Sequence, residues 1–230
     1  MFGKGLKDGI PIGLGYFSVS FSFGILAVSQ GLSWWEAVLI SMANVTSAGQ
    51  FAGLTVMTAA GSLIEMAVTQ FVINLRYALM SISLSQRVEE RFRGIYRAVL
   101  GFGITDEIFA VAMGYSGEVT RKYFAGLIVI PYMGWSAGTL AGAVCGNILP
   151  GIVCDALGVA LYGMFIAIVV PPMKKDSKIA CVVIIAMCCS LILNYVPVVN
   201  GISSGFAIII SSVIAAGIGA LLFPGKEIEE

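Results

Sequence analysis

Asn44-Val45-Thr46-Ser47-Ala48-Gly49-Gln50 is a polar, glycine-containing run set inside a hydrophobic segment that extends over residues 34–60. Backbone and side-chain polar groups at such a depth in a membrane need protein or trapped water around them, so the run faces a bundle interior or an aqueous cavity. Asn44, Thr46, Ser47 and Gln50 are therefore candidate contacts for a solute. A plainer alternative has Asn44, Thr46 and Ser47 bonding back onto their own helix or to a neighbour, with Gly49 and Gly53 spaced for close helix packing.

The surroundings make the membrane reading firm. Of the 230 residues 58% are hydrophobic and 11% charged, and the mean hydropathy of +0.96 lies outside the range of soluble domains. Thirteen basic and thirteen acidic residues cancel, and no basic block is long enough to suggest a nucleic-acid binder. Partners are lipid, other helices and small solutes, with self-association left open. The chain contains no histidine, which removes histidine-based triads, imidazole relays and most zinc or haem ligation. We expect no enzyme, no cofactor and no metal. Cys145, Cys154, Cys181, Cys188 and Cys189 fall inside apolar stretches and read as packing residues rather than a disulfide framework.

Eight apolar segments, over residues 10–31, 34–60, 62–86, 95–114, 123–148, 151–173, 178–198 and 202–223, each approach the ~20 residues a spanning helix needs. The expected fold is all-α: one polytopic transmembrane helix bundle over residues 1–230 with about eight membrane segments. Gly31-Leu32-Ser33, Gly61-Ser62, Pro150-Gly151 and Pro197 to Gly201 supply turns. With the N-terminus inside, Lys4, Lys7, Arg121, Lys122, Lys174, Lys175, Lys178 and Lys226 are cytoplasmic, in keeping with the retention of basic loops on that side. Arg87, Arg91, Arg93 and Arg97 then lie outside. If that loop is cytoplasmic instead, seven segments span, and residues 34–60 form a re-entrant pair of half-helices. Ile10-Pro11 and Gly31 recur as Ile130-Pro131 and Gly151, a faint internal repeat.

Charge inside the membrane marks the remaining candidates. On the third segment Glu65, Thr69 and Arg76 share one helical face and Gln70, Asn74 and Ser81 the opposite one, so this helix is expected to be enclosed by others. Glu65 and Arg76 stand three turns apart, about 16 Å, and each needs another partner. Thr105-Asp106-Glu107 offers two carboxyl groups in the fourth segment, pointing about 100° apart. One can hold Arg76 while the other faces a cavity and carries a proton, and a purely structural ion pair is the alternative. Gly134, Gly138, Gly142 and Gly146 recur at four-residue intervals and form a ridge for close backbone packing.

Ser41 to Gly53, Asn74-Leu75-Arg76 and Thr105-Asp106-Glu107, with Gly9-Ile10-Pro11-Ile12-Gly13 and Gly24, resemble the AzlC family of branched-chain amino acid exporter subunits over residues 5–155. The resemblance implies a multi-pass large subunit in the bacterial inner membrane. It implies a small AzlD-like membrane subunit as partner, and export of valine, leucine, isoleucine or related amino acids such as methionine. Asn74 and Arg76 join the polar run as substrate contacts, and Arg76, Asp106, Glu107 and Glu65 form the charged set that couples transport to conformational change. A channel or carrier for another small polar solute, or a non-transporting assembly subunit, would use the same seam differently.

Overall fold

The computed structural model describes residues 1–146, 166, 169–195 and 202–223. Pro150-Gly151, Cys154, Asp155, Pro197 to Gly201, Lys226 and most of the 151–173 segment lie outside them. The described residues form nine named helices: α1 (Phe2–Ser29), α2 (Trp34–Ala43), α3 (Ser47–Thr58), α4 (Leu63–Ser85), α5 (Ile95–Gly101), α6 (Asp106–Gly114), α7 (Arg121–Gly146), α8 (Ser177–Tyr195) and α9 (Ser204–Leu222). Among them no strand occurs, only an isolated bridge between Val88 and Val119. Four helices, Phe2–Ser29, Leu63–Ser85, Arg121–Gly146 and Gly205–Leu222, are long and apolar enough to cross a membrane. The protein is thus an all-helical membrane protein.

Contacts divide the described residues into two units, one within Met1–Phe51 and Ile73–Leu161, the other within Ala52–Val72 and Tyr162–Glu230. The first is built on α1 and α7. Both carry glycines at the places where their backbones meet. A Cβ at Gly134 would fall on the Gly13 carbonyl, one at Gly138 on Phe17 and Ser20, and one at Gly142 on the Phe21 carbonyl. In return, Cβ atoms at Gly5 and Gly24 would strike the carbonyls of Tyr123 and Thr139. Gly146 is looser, with Ile25 Cα 3.3 Å from such a Cβ. Residue numbers rise together along the seam, so the two helices run parallel.

Two of the apolar segments are not continuous helices. α1 ends in a Schellman turn at Gly31 (φ +97°), with Leu32 N–H donating to Ala27 O and Gly31 N–H to Val28 O. α2 then runs back along the bundle. Ser41 Oγ meets Thr139 Oγ1 at 2.6 Å, and Tyr132 OH donates to Met42 O at 3.1 Å. The helix stops at Asn44, Val45 packs with Tyr16 and Trp135, and α3 reverses direction. By Phe51 the chain lies against Phe23, ring centroids 5.4 Å apart, two turns further along α1 than Tyr16.

The 95–114 segment makes the mirror-image excursion. Val119 N–H donates to Arg87 O at 2.9 Å, and Arg87 Nη2 donates to Tyr115 O at 2.9 Å. Arg121 N–H donates to Glu89 Oε1 at 2.9 Å. Lys4 Nζ sits 4.5 Å from the Tyr115 ring centre, and Tyr123 OH donates to Asp8 at 2.8 Å. The loops on both sides of α5–α6 therefore lie together, beside the start of α1. Between them the chain climbs to Thr105, at the level of Tyr16 halfway along α1, and returns. Leu84, Phe92, Ile104, Ile108, Ala112, Val119, Tyr123, Phe124 and Leu127 form the apolar core under this excursion. The eight-span reading separates Arg87, Arg91, Arg93 and Arg97 from Lys4 and Lys7, whereas here the loops at both ends of the fourth segment lie beside the start of α1. The fourth segment leaves by the end at which it enters.

A second expectation also changes. Among the described residues α4 is not covered all round: Ile64, Phe71, Leu75, Leu79 and Ile82, one stripe at helical spacing, are 50% to 72% exposed. Ser81 is met on its own helix, its Oγ donating to Tyr77 O at 2.7 Å, whereas Glu65 and Arg76 find partners on other helices.

Candidate functional site

The two interruptions converge on Tyr16. Each is followed by a helix whose first residue is preceded by a threonine cap. Gly49 N–H points at Thr46 Oγ1 (3.5 Å) at the start of α3, and Ile108 N–H at Thr105 Oγ1 (3.4 Å) at the start of α6. α3 runs from this level toward the C-terminal end of α1 and α6 toward its N-terminal end, so two helix starts meet in mid-bundle. Helix starts concentrate unpaired N–H groups and positive potential, an arrangement suited to a carboxylate.

The charged residues sit at the same level. Arg76 Nη2 lies 2.9 Å from Asp106 Oδ2, with the two side chains 44% and 41% exposed. Arg76 Nη2 also donates to Tyr77 OH at 3.2 Å. Glu107 does not join the pair: its Oε2 lies 2.5 Å from Tyr16 OH, which also lies 2.6 Å from Thr105 Oγ1. Tyr16 is held by an edge-on contact with Trp135, ring centroids 5.2 Å apart. The α6 start explains why the two acids part company. Asp106 and Glu107 occupy its first two positions, where carboxylates are favoured, and point in different directions.

The polar run divides. Asn44 and Ser47 are half-buried, whereas Thr46, Gly49 and Gln50 are buried. Gln50 is 1% exposed, and its Nε2 donates to Ser41 Oγ at 2.5 Å, tying α3 to α2 and, through Thr139, to α7. Its Oε1 has no partner among the described residues. Asn74 is half-buried on α4. Gly53 faces side chains rather than a backbone, with Gln70 Nε2 3.1 Å and Met66 Sδ 3.6 Å from a Cβ built there.

Glu65 belongs to the second unit. It accepts from Ser203 Oγ and, at 2.9 Å, from Gly205 N–H, so its carboxylate closes the first turn of α9. Among the described residues it makes no ion pair. A buried carboxylate on helix-start N–H groups is already compensated, and a cap replaces the cation expected for it.

Tyr16, Trp135, Ser41 and Thr139 are the members of this region that residue patterns did not single out. Tyrosine and tryptophan in an apolar span read as packing. A signal for the second interruption was present in Gly101-Phe102-Gly103 followed by Thr105-Asp106, a helix-start pattern inside a hydrophobic stretch.

Two interrupted segments meeting around a charged pair define a helical membrane protein with a polar centre. A family model described as AzlC protein matches residues 11–149, and the chain belongs to the AzlC family. An uncharacterized membrane protein of Archaeoglobus fulgidus is 35% identical over 76% of this chain and 77% of its own length. The inner membrane protein YgaZ of Escherichia coli is 33% identical over 77% of this chain and 76% of its own. A Helicobacter pylori uncharacterized membrane protein is 28% identical over 64% and 66%. No solved structure matches.

Proposed function

We propose that the chain is the large subunit of an exporter for valine, leucine, isoleucine and methionine. It would work in the bacterial inner membrane with a small AzlD-like subunit, without enzymatic activity or cofactor. The observation that carries this reading is the half-exposed Arg76–Asp106 pair where two half-helices begin. A zwitterion needs a cationic and an anionic contact side by side, and helix-start N–H groups add donors for its carboxylate. An apolar side chain would find Phe102 and Tyr132, ring centroids 6.4 Å apart, next to the α6 start. In liposomes carrying this chain and the small subunit, labelled leucine is expected to exchange against internal leucine. Leak without exchange would point to a channel, and no flux with either arrangement to an assembly subunit.

The same reading fixes the membrane sides. Segments 34–60 and 95–114 re-enter from opposite faces and neither crosses. Arg87, Arg91, Arg93, Arg97, Arg121 and Lys122 then join Lys4 and Lys7 on the cytoplasmic side, which removes the charge conflict of the eight-span scheme. In a cysteine-free variant, a cysteine at Gln30 is expected to react with impermeant reagent from outside, and cysteines at Glu90 and Glu118 to be protected. External labelling at Glu90 would restore the fourth crossing.

A further inference from the structure

Tyr16 has one proton to donate and two oxygens to satisfy, Thr105 Oγ1 at 2.6 Å and Glu107 Oε2 at 2.5 Å. A phenol cannot donate to both at once. With Glu107 ionised, Tyr16 donates to the carboxylate and Thr105 donates to the phenol oxygen. With Glu107 protonated, the carboxylic acid donates to the phenol oxygen and Tyr16 turns its proton to Thr105 Oγ1, the cap acceptor for Ile108 N–H. Tyr16 stays neutral in both arrangements, and the added proton comes from water and rests on Glu107.

We infer that Tyr16 is a positioning residue that converts the protonation state of Glu107 into the strength of the tie between α1 and the half-helix α6. The ionised arrangement contains a charge-assisted bond and the neutral one does not, a difference of roughly twofold in hydrogen-bond strength. Glu107 is free to serve because the other charges are spoken for. From α4, Arg76 is held by Asp106, and Tyr77 accepts from Arg76. On α6 itself Asp106 is the other half of that pair. From α7 and the α2–α3 turn, Trp135 and Val45 pack against Tyr16 and carry no charge. One guanidinium therefore faces two carboxylates, and the excess one is the acid bonded to Tyr16. Glu107 is also exposed while Tyr16 and Thr105 are buried, so the acid lies at the surface of the bundle and the two hydroxyls lie beneath it.

This inference rests on the transport reading for its purpose but not for its test. Infrared difference spectra of the reconstituted protein between alkaline and acidic buffer are expected to show the carbonyl stretch of a newly protonated carboxylic acid. The thirteen acidic side chains share this spectral region, so the Glu107 component is the part of the band lost in Glu107→Gln; it should survive in Asp106→Asn and shift in Tyr16→Phe, which keeps the ring against Trp135 and removes only the hydroxyl. A Glu107→Gln spectrum that loses no component, or a Glu107 component that Tyr16→Phe leaves in place, overturns the inference. Where leucine exchange is measurable, Tyr16→Phe should also abolish the pH dependence of net efflux, and an unchanged pH profile counts against the latch. If no hydrophobic amino acid is moved, the transport reading fails while the spectra still decide the latch.

Discussion

Leucine at Gly142 is expected to eliminate the folded protein. A Cβ there coincides with the Phe21 carbonyl, so even alanine requires α1 and α7 to separate, and leucine adds three more carbons to the same clash. Overpacking a core typically costs about 1–3 kcal/mol when side chains can move aside. Here the obstacle is backbone on both helices, and separation also opens the reciprocal contact of Gly24 with Thr139. Gly142→Leu should thus leave almost no protein in the membrane, and Gly142→Ala should lower the midpoint of thermal unfolding in detergent. Gly146→Ala should do so less, because Ile25 Cα stands 3.3 Å away and can yield. Gly15→Ala is the control: nothing lies within 4 Å of a Cβ there, and alanine gains up to about 1 kcal/mol in helix propensity. Wild-type abundance of Gly142→Leu would mean that the α1–α7 seam is not the packed spine of its unit.

The glycine spacing of α7 was legible because an interval of four repeats one helical face, and small residues on such a face have few uses other than close approach. The partner of that face was not, since Gly5, Gly9 and Gly13 on α1 show the same interval without saying which helix they meet. The pairing of Arg76 was legible in kind: a guanidinium cannot lose its proton, so a carboxylate had to be found for it. Which acid could not be chosen, because the choice depends on α6 starting at Asp106 and not at Ile95. Glu65 misled for a related reason. Its partners are a backbone N–H and a serine hydroxyl near residue 205, and backbone donors leave no trace in a pattern of side chains. The interruption at Thr46 stood out as a polar run, whereas the one before Thr105 is made of glycine, phenylalanine and isoleucine and reads as apolar. Hydropathy measures solubility in lipid; it does not register where a helix stops. That both ends of the 95–114 segment lie together therefore emerged only from contacts between distant loops.

Arg76→Ala is expected to reduce leucine exchange by more than 100-fold, on the order of 3 kcal/mol, while leaving much of the protein in the membrane. The two halves of this expectation come from one geometry. Removing one member of a fully buried pair costs about 3–5 kcal/mol because the other is stranded without solvent. Arg76 and Asp106 are 44% and 41% exposed, so the stranded Asp106 is not sealed within protein, and the folding penalty is expected to fall below that. Transport has no such escape, for an incoming carboxylate loses its charged contact. Lysine should restore little, since a point charge cannot offer an incoming carboxylate the planar, bidentate donors of a guanidinium. The decisive variant is the joint replacement Arg76→Met with Asp106→Leu. A pair that only fixes helix register tolerates this exchange, as apolar substitutes for ion pairs often do, and exchange would then return with abundance. A pair that binds the zwitterion cannot: abundance returns and exchange does not. Measured side by side, abundance by quantitative blotting and exchange in liposomes separate the two roles, and an active double replacement removes Arg76 from the substrate site.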